Sequence, residues 1–323
     1  MAIQNNYIPG SGYGNIYIDS LIYGDGWSGT PVTYSFNNGF AYGTQYGYFT
    51  GSSWLDSERN AVASVLSSYS AVCNLTFQAS ADNSSSSNLA FWSLSSTSMG
   101  LDQGAFDSPN GAYTQLFGYF NWSDPGWFNL QPGGQGYEVL VHEIGHALGL
   151  AHPHDGGSEA DKSIFPGATA FGIGDFGLNQ RVWTVMSYNS GWNQEPSFTQ
   201  IYGDTSTPMA FDIAALQRIY GANNSYHTGN EIYYLPSANL TGTGWSCIWD
   251  AGGIDTITAV NELTSSTINL NAAPLVGPNA GGYVSWVSGI AGGFTIANGV
   301  VIENAIGGNA SDLLIGNDAD NGL

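Results

Sequence analysis

Apolar residues recur along this chain with two different periods, and the change from one to the other divides it. Residues 53–70 carry Trp54, Ala61, Val62, Val65 and Leu66 at helical spacing, with Glu58 and Arg59 toward the other face, which predicts a helix. Leu140, Ile144 and Leu148 form the buried stripe of a second helix that starts near Gly136 or Tyr137. A third runs from Thr207-Pro208 to Tyr220, with Thr207 as N-cap, Pro208 at the first helical position and Gly221 closing it. Its buried face is Ile213, Leu216 and Ile219. Residues 32–36 alternate and are rich in β-formers, and 74–77 and 88–92 read as further strands. From Asn223 onward the helical period is gone. Short β-prone runs separated by Gly, Asn and Asp take its place, which marks a second domain.

Other stretches are less periodic. Residues 1–30 are rich in Gly, Tyr and Asn and read as an N-terminal arm, either a propeptide remnant or a packing segment. Residues 79–87 form a polar loop, and 121–136 a loop rich in Trp, Pro and Gly. Between them, 111–122 is aromatic and β-prone. It suits an edge strand to which an extended peptide could add, and equally an ordinary core strand.

Composition narrows the picture. Hydrophobic residues make up 42% of the 323, with ten tryptophans, enough for a substantial core. Only four Lys and Arg face 25 Asp and Glu, for a net charge of −21, which argues against nucleic acid or an anionic membrane as partner. The same excess suits calcium binding through carboxylates, and equally simple solubility. Forty-five glycines point to turn-rich β structure. Cys73 and Cys247 lie in apolar surroundings and read as buried, with a disulfide between them left open. No apolar run reaches membrane-spanning length, and residues 1–20 lack the basic and apolar regions of an ordinary secretory signal.

The chemistry concentrates in residues 142–153, from His142-Glu143-Ile144-Gly145-His146 through Gly149 to His152-Pro153. Two histidines four apart on a helix project from one face, so both imidazoles can reach one metal ion, with Glu143 beside them as a base. Gly149 suits a left-handed cap that reverses the chain and brings in His152. Three neutral nitrogens with an open fourth position describe a catalytic zinc site. Near the end, Gly307-Gly308-Asn309-Ala310-Ser311-Asp312-Leu313-Leu314-Ile315 fits a calcium-binding nonapeptide repeat, and 316–323 begins a degraded second copy.

Together these stretches resemble the serralysin-type metalloproteases, a secreted bacterial branch of the metzincins. The resemblance rests on the histidine motif, on Met186-Ser187-Tyr188, and on residues 212–223, 249–256 and 302–308. It implies an α+β chain: a metzincin catalytic domain at 31–222, with a twisted sheet and active-site helix, then an all-β parallel β-roll at 223–323. Zinc would be held by His142, His146, His152 and, in the resting enzyme, Tyr188. Met186 would pack beneath the metal. The implied reaction is peptide hydrolysis by a zinc-activated water with Glu143 as general base and Tyr188 stabilising the oxyanion. The expected substrate is a protein or peptide, the expected state a monomer, and the expected route a signal-peptide-independent export from a bacterium.

Calcium ligands follow by the same resemblance. One site would use backbone oxygens of His227, Gly229 and Glu231 with Asp250, Gly253 and Asp255. A neighbouring site would draw on Gly252, Val301, Glu303, Gly308, Ala310 and Asp312. Two positions depart from the pattern: Ala310 stands where the repeat has Gly, and Asn321 where it has Asp. Relatives of this type continue through more repeats than are found before Leu323. His154 is expected to be an exposed loop residue. The competing reading is a calcium-stabilised surface or binding protein with a vestigial metal site, against which the intact Glu143 argues.

Overall fold

The structure is a computed structural model that describes every residue except 1, 6–7, 44–46, 96–103, 108–114, 157–162 and 193–198. The N-terminal residues form part of the core. Strand β1 (Ile3–Asn5) pairs antiparallel with β2 (Gly26–Ser28). Between them the short helix α1 (Ile16–Leu21) is capped by Asn15, whose side-chain oxygen accepts from the Tyr17 and Ile18 amides. Tyr17, Ile18, Leu21, Ile22 and Trp27 are all buried.

The chain then builds a five-stranded sheet. β3 (Val32–Asn37) is followed by a hairpin, β4 (Gly39–Gly43) and β5 (Gly47–Gly51), and by helix α2 (Asp56–Val72). Next come β6 (Phe77–Ala79), β7 (Leu89–Leu94), β8 (Gly104–Asp107) and β9 (Leu116–Asn121), and the sheet order is β6-β3-β7-β9-β8. All pairings are parallel except β8 with β9. Every residue of β7 is buried, as befits a central parallel strand covered on both faces.

Three sequence expectations shift here. The aromatic segment lies inside the sheet at β9, and the edge on that side belongs to β8; residues 111–114 of that segment lie outside the described ones. Helix α2 begins at Asp56 because Glu58 turns back to accept from the Leu55 amide at 2.7 Å. Glu58 is therefore buried, and it also accepts from the Trp127 indole at 2.7 Å. The strand expected at 74–77 sits at 77–79, because the Asn74 amide is drawn to the Gly221 carbonyl instead.

Helix α3 (Gln135–Ala147) packs against α2, with Leu140 and Ile144 fully buried. A small ribbon, β10 (Ala168–Thr169) and β11 (Gly172–Ile173), precedes helix α4 (Ala210–Tyr220). Thr207 does not cap α4. Its hydroxyl accepts from the Cys247 amide, and Asp212 receives the Met209 amide at 2.8 Å in its place.

No helix follows Tyr220 among the described residues. The strands there are β12 (Ile232–Tyr234), β13 (Trp245–Ile248), β14 (Thr256–Thr258), β15 (Ser266–Asn269), β16 (Ser285–Val287), β17 (Gly293–Ile296), β18 (Asn304–Ile306) and β19 (Leu313–Ile315). They make a three-stranded parallel sheet, β12-β14-β18, and a mixed five-stranded one, β13-β17-β16-β15-β19. Ile248, Ile257, Ile268, Ile296 and Ala305 are buried and continue the core of the first half without a break. Cys73 and Cys247 are both buried and free. No helix of the described residues is long and apolar enough to cross a membrane. Mixed helices and sheets make the chain α+β.

Candidate metal centre

Helix α3 carries His142 and His146 on one face, one turn apart. Its end is set by three contacts. Gly149 takes φ +93, and a Cβ there would lie 2.2 Å from the Asp25 carbonyl oxygen, so glycine is required both by conformation and by space. The Trp27 indole donates to the Ala147 carbonyl at 2.8 Å, and the Tyr220 hydroxyl to that of Leu148 at 2.8 Å. Antiparallel bonds between Leu21 to Tyr23 and Gly149 to Ala151 then aim the chain so that His152 returns over the helix.

The ring nitrogens of the three histidines are sorted by their partners. His142 Nδ1 faces the Val185 carbonyl at 2.9 Å, His146 Nδ1 the Leu150 carbonyl at 2.8 Å, and His152 Nδ1 the Asp155 carboxylate at 2.6 Å. An acceptor at each Nδ1 places the hydrogen there and leaves each Nε2 as a bare lone pair. Those lone pairs converge: His152 Nε2 lies 3.2 Å from His142 Nε2 and 2.9 Å from His146 Nε2. Such mutual repulsion is relieved by a cation among the three. Burial, ahead of the neighbouring rings, pushes His142 well below the ordinary imidazole range and His146 down to about 3, so both stay neutral. Neutral imidazoles in this arrangement fit zinc.

Below the histidines, Met186 is fully buried, and a Cβ on Gly145 would lie 2.8 Å from its sulfur. The loop that holds Met186 is pinned by Asp212 of α4, which accepts from the Thr184 hydroxyl at 2.6 Å and the Val185 amide at 2.7 Å. Asp212 thereby fixes Val185, whose carbonyl orients His142. Glu143 lies beside the cluster, and burial, ahead of repulsion from Glu138, pushes its carboxyl up to about 8. Gly104 of the edge strand β8 packs directly on it, since a Cβ there would lie 2.6 Å from Glu143 Cγ. Tyr188 is 40% exposed, its ring 4.6 Å from that of His152 and 5.9 Å from that of His142.

His154 corrects one expectation. It is half-buried, stacked at 5.2 Å on His152 and 4.9 Å from Tyr188, because the turn at 153–155 folds it back over the centre. Asp155 and Gly104 are the residues that sequence reasoning passed over. Asp155 had a signal, three residues past His152 in a tight loop; Gly104 had none.

Residues 211–322 fit the family described as Peptidase M10 serralysin C terminal. The serralysin of Photorhabdus luminescens is 32% identical over 285 residues, 84% of this chain and 55% of that one. The chain is of the serralysin type. Metallopeptidase AprA of Pseudomonas marginalis is 31% identical over 312 residues, 92% of this chain and 62% of its own length. Serralysin C of Dickeya chrysanthemi is 37% identical over 229 residues, 66% of this chain and 44% of that protein. The chain thus spans roughly half the length of the serralysins it matches.

A second acidic cluster lies among the later strands, where Glu231, Asp250 and Asp255 bring carboxylate oxygens within 4.8 Å of one another. Asp255 Oδ1 accepts from the Glu231 amide at 2.7 Å, while Asp255 Oδ2 and Glu231 Oε2 are buried without a partner. Asp250 accepts from the Gly252 amide and from the Tyr233 hydroxyl. Gly253 packs so closely on the Gly229 carbonyl that a Cβ would lie 1.5 Å from its oxygen. His227 takes a positive φ of 47, turning the chain toward this cluster. The second expected ligand set divides. Glu303 accepts from the Asp255 amide at 2.8 Å, whereas Asp312 accepts from the Ser266 and Gly308 amides in another turn. Val301 is exposed, and Ala310 lies in the turn that Asp312 closes. Asn321 repeats the part of Asp312, accepting from the Asn317 amide four residues earlier at 2.8 Å. An amide carbonyl preserves that turn without supplying charge.

Proposed function

We propose that this chain is a secreted, zinc-dependent endopeptidase whose catalytic unit spans residues 31–222, followed by a calcium-binding β-roll at 223–323. The convergence of three Nε2 lone pairs beside the half-buried Glu143 carboxyl carries this reading. His142, His146 and His152 would hold zinc, with Tyr188 at its margin. When bound, zinc supplies Lewis acidity, acidifying water and polarising a carbonyl.

The protein's own residues do the rest. An extended peptide adds to the outer edge of β8, which pairs with no other strand among the described residues. That seats the scissile carbonyl against Glu143, which Gly104 lets the peptide approach. Glu143 takes a proton from the attacking water and returns it to the departing amine. A dication nearby favours its ionised form over the neutral one that burial alone prefers. The Tyr188 hydroxyl donates to the developing oxyanion. Asp155 holds the His152 ring in its working tautomer. Glu231, Asp250, Asp255 and Glu303, with backbone oxygens near His227, Gly229, Gly252 and Gly253, would hold calcium.

The test is cleavage of a mixed, unstructured peptide library. Chelation is expected to abolish cleavage and added zinc to restore it, with about one zinc per chain by elemental analysis. A folded, zinc-loaded protein that cleaves nothing would overturn the reading in favour of a binding protein with a vestigial site. A second expectation concerns the edge strand. Gly104→Val should push Glu143 aside and lower kcat/KM by roughly 10- to 100-fold while zinc content stays the same. Steady-state kinetics on one cleaved peptide checks it, and wild-type kinetics would remove β8 from the site.

A further inference from the structure

Outside the metal centre, the described residues contain one buried charge cluster that the mechanism above does not use. Arg181 stands between Glu138 and Asp204, its Nη1 3.2 Å from Glu138 Oε2 and 3.1 Å from Asp204 Oδ1. Both carboxylates are buried, at 1% and 3% exposure. Two carboxyl groups share one guanidinium, and Glu138 Oε1 has no partner. Burial, ahead of the Asp204 charge, holds the Glu138 carboxyl well above its ordinary range. An ion cluster this deep is a poor source of stability, so what it does is to be sought in what it holds in place.

Glu138 lies on α3, one turn before His142. The Arg181 guanidinium also donates through Nε to the Ser187 carbonyl at 3.2 Å, and the Arg181 amide donates to the Asn189 carbonyl at 2.9 Å. Ser187 and Asn189 flank Tyr188. One residue therefore grips the backbone on both sides of Tyr188 and ties it to the helix that carries the histidines. The Asn189 side chain adds a bond to the Asn179 carbonyl, closing the same loop.

We infer that Arg181 is a positioning residue for Tyr188, setting through its fork where the phenol stands against the histidines. The inference rests on the proposed role of Tyr188. Lysine cannot replace arginine here. Its point charge can sit between the two carboxylates, but it has no second N–H at the Nε position to reach back to Ser187.

The test is a cycle of Arg181→Lys, Tyr188→Phe and the double variant, with kcat and KM measured separately. Tyr188→Phe is expected to lower kcat by roughly 100-fold, as loss of an oxyanion donor does. Arg181→Lys should lower kcat roughly tenfold or more with KM little changed, and add nothing in the double variant. Metal content and thermal midpoint are followed in each. A crystal structure of metal-free Arg181→Lys should show the Tyr188 ring displaced from its 4.6 Å contact with His152. A ring left in place, or losses that multiply in the double variant, overturns the inference. If Tyr188→Phe keeps full kcat, the catalytic role of Tyr188 fails, while the ring position still decides the placement. Should Arg181→Lys not fold, Asp204→Asn loosens the same guanidinium. It should then give a smaller kcat loss, again absent from the Tyr188→Phe background, and additive losses there would count against Arg181.

Discussion

Replacing Glu143 by Gln is expected to lower kcat by about 10³- to 10⁴-fold while zinc remains bound. The two expectations separate because the roles proposed for Glu143 and for the three imidazoles differ. The converging Nε2 atoms belong to His142, His146 and His152, each oriented through its Nδ1 by Val185, Leu150 or Asp155. None of those bonds passes through Glu143. Glutamine fits the same space beneath Gly104 but has no basic oxygen to accept a proton from water. Single-turnover kinetics with elemental analysis on the same samples measures both quantities. A Glu143→Gln enzyme within tenfold of wild type would remove Glu143 as the base.

Calcium is expected to raise the melting temperature at pH 7 by on the order of 10 °C, and Asp255→Asn to lose most of that gain. Without a cation, Glu231, Asp250 and Asp255 crowd one another, and burial, followed by the charges of Asp250, Glu303 and Glu231, pushes the Asp255 carboxyl up to about 6. The sign of the pH effect follows. A carboxyl whose folded value exceeds its unfolded one binds its proton more tightly when folded. Its stabilising contribution is full below the unfolded value near 4 and is lost as pH rises through about 6. Calcium-free protein should therefore melt higher at pH 5 than at pH 7, and the difference should shrink in Asp255→Asn. With saturating calcium the order should reverse, because the cation binds the ionised carboxylates. Scanning calorimetry at both pH values checks this, and a calcium-free protein indifferent to Asp255→Asn would refute it.

Much of this site was legible in the sequence because it is local. Helical spacing alone puts His142 and His146 on one face, and Gly149 announces the reversal toward His152. Patterning likewise found the three long helices and the loss of helical period after Asn223. Positions fixed by distant partners were misplaced. Thr207 reads as an N-cap until the Cys247 amide takes its hydroxyl. Glu58 reads as surface until the Leu55 amide and Trp127 claim its two oxygens. His154 reads as exposed until the turn stacks it on His152.

By itself, then, the sequence put His142, His146, His152 and Glu143 forward as one candidate cluster and marked the change from helix to short strands. Each of these depends on residues within a turn or two of one another, where covalent geometry leaves few choices. Only the tertiary structure decided which strand is the edge, because β8 and β9 differ in their neighbours and not in their period. It also decided that Gly104 faces Glu143, that Asp212 pins the loop orienting His142, and that Arg181 grips both sides of Tyr188. Those contacts join residues far apart in the chain, and a buried polar group takes whichever partner packing brings to it.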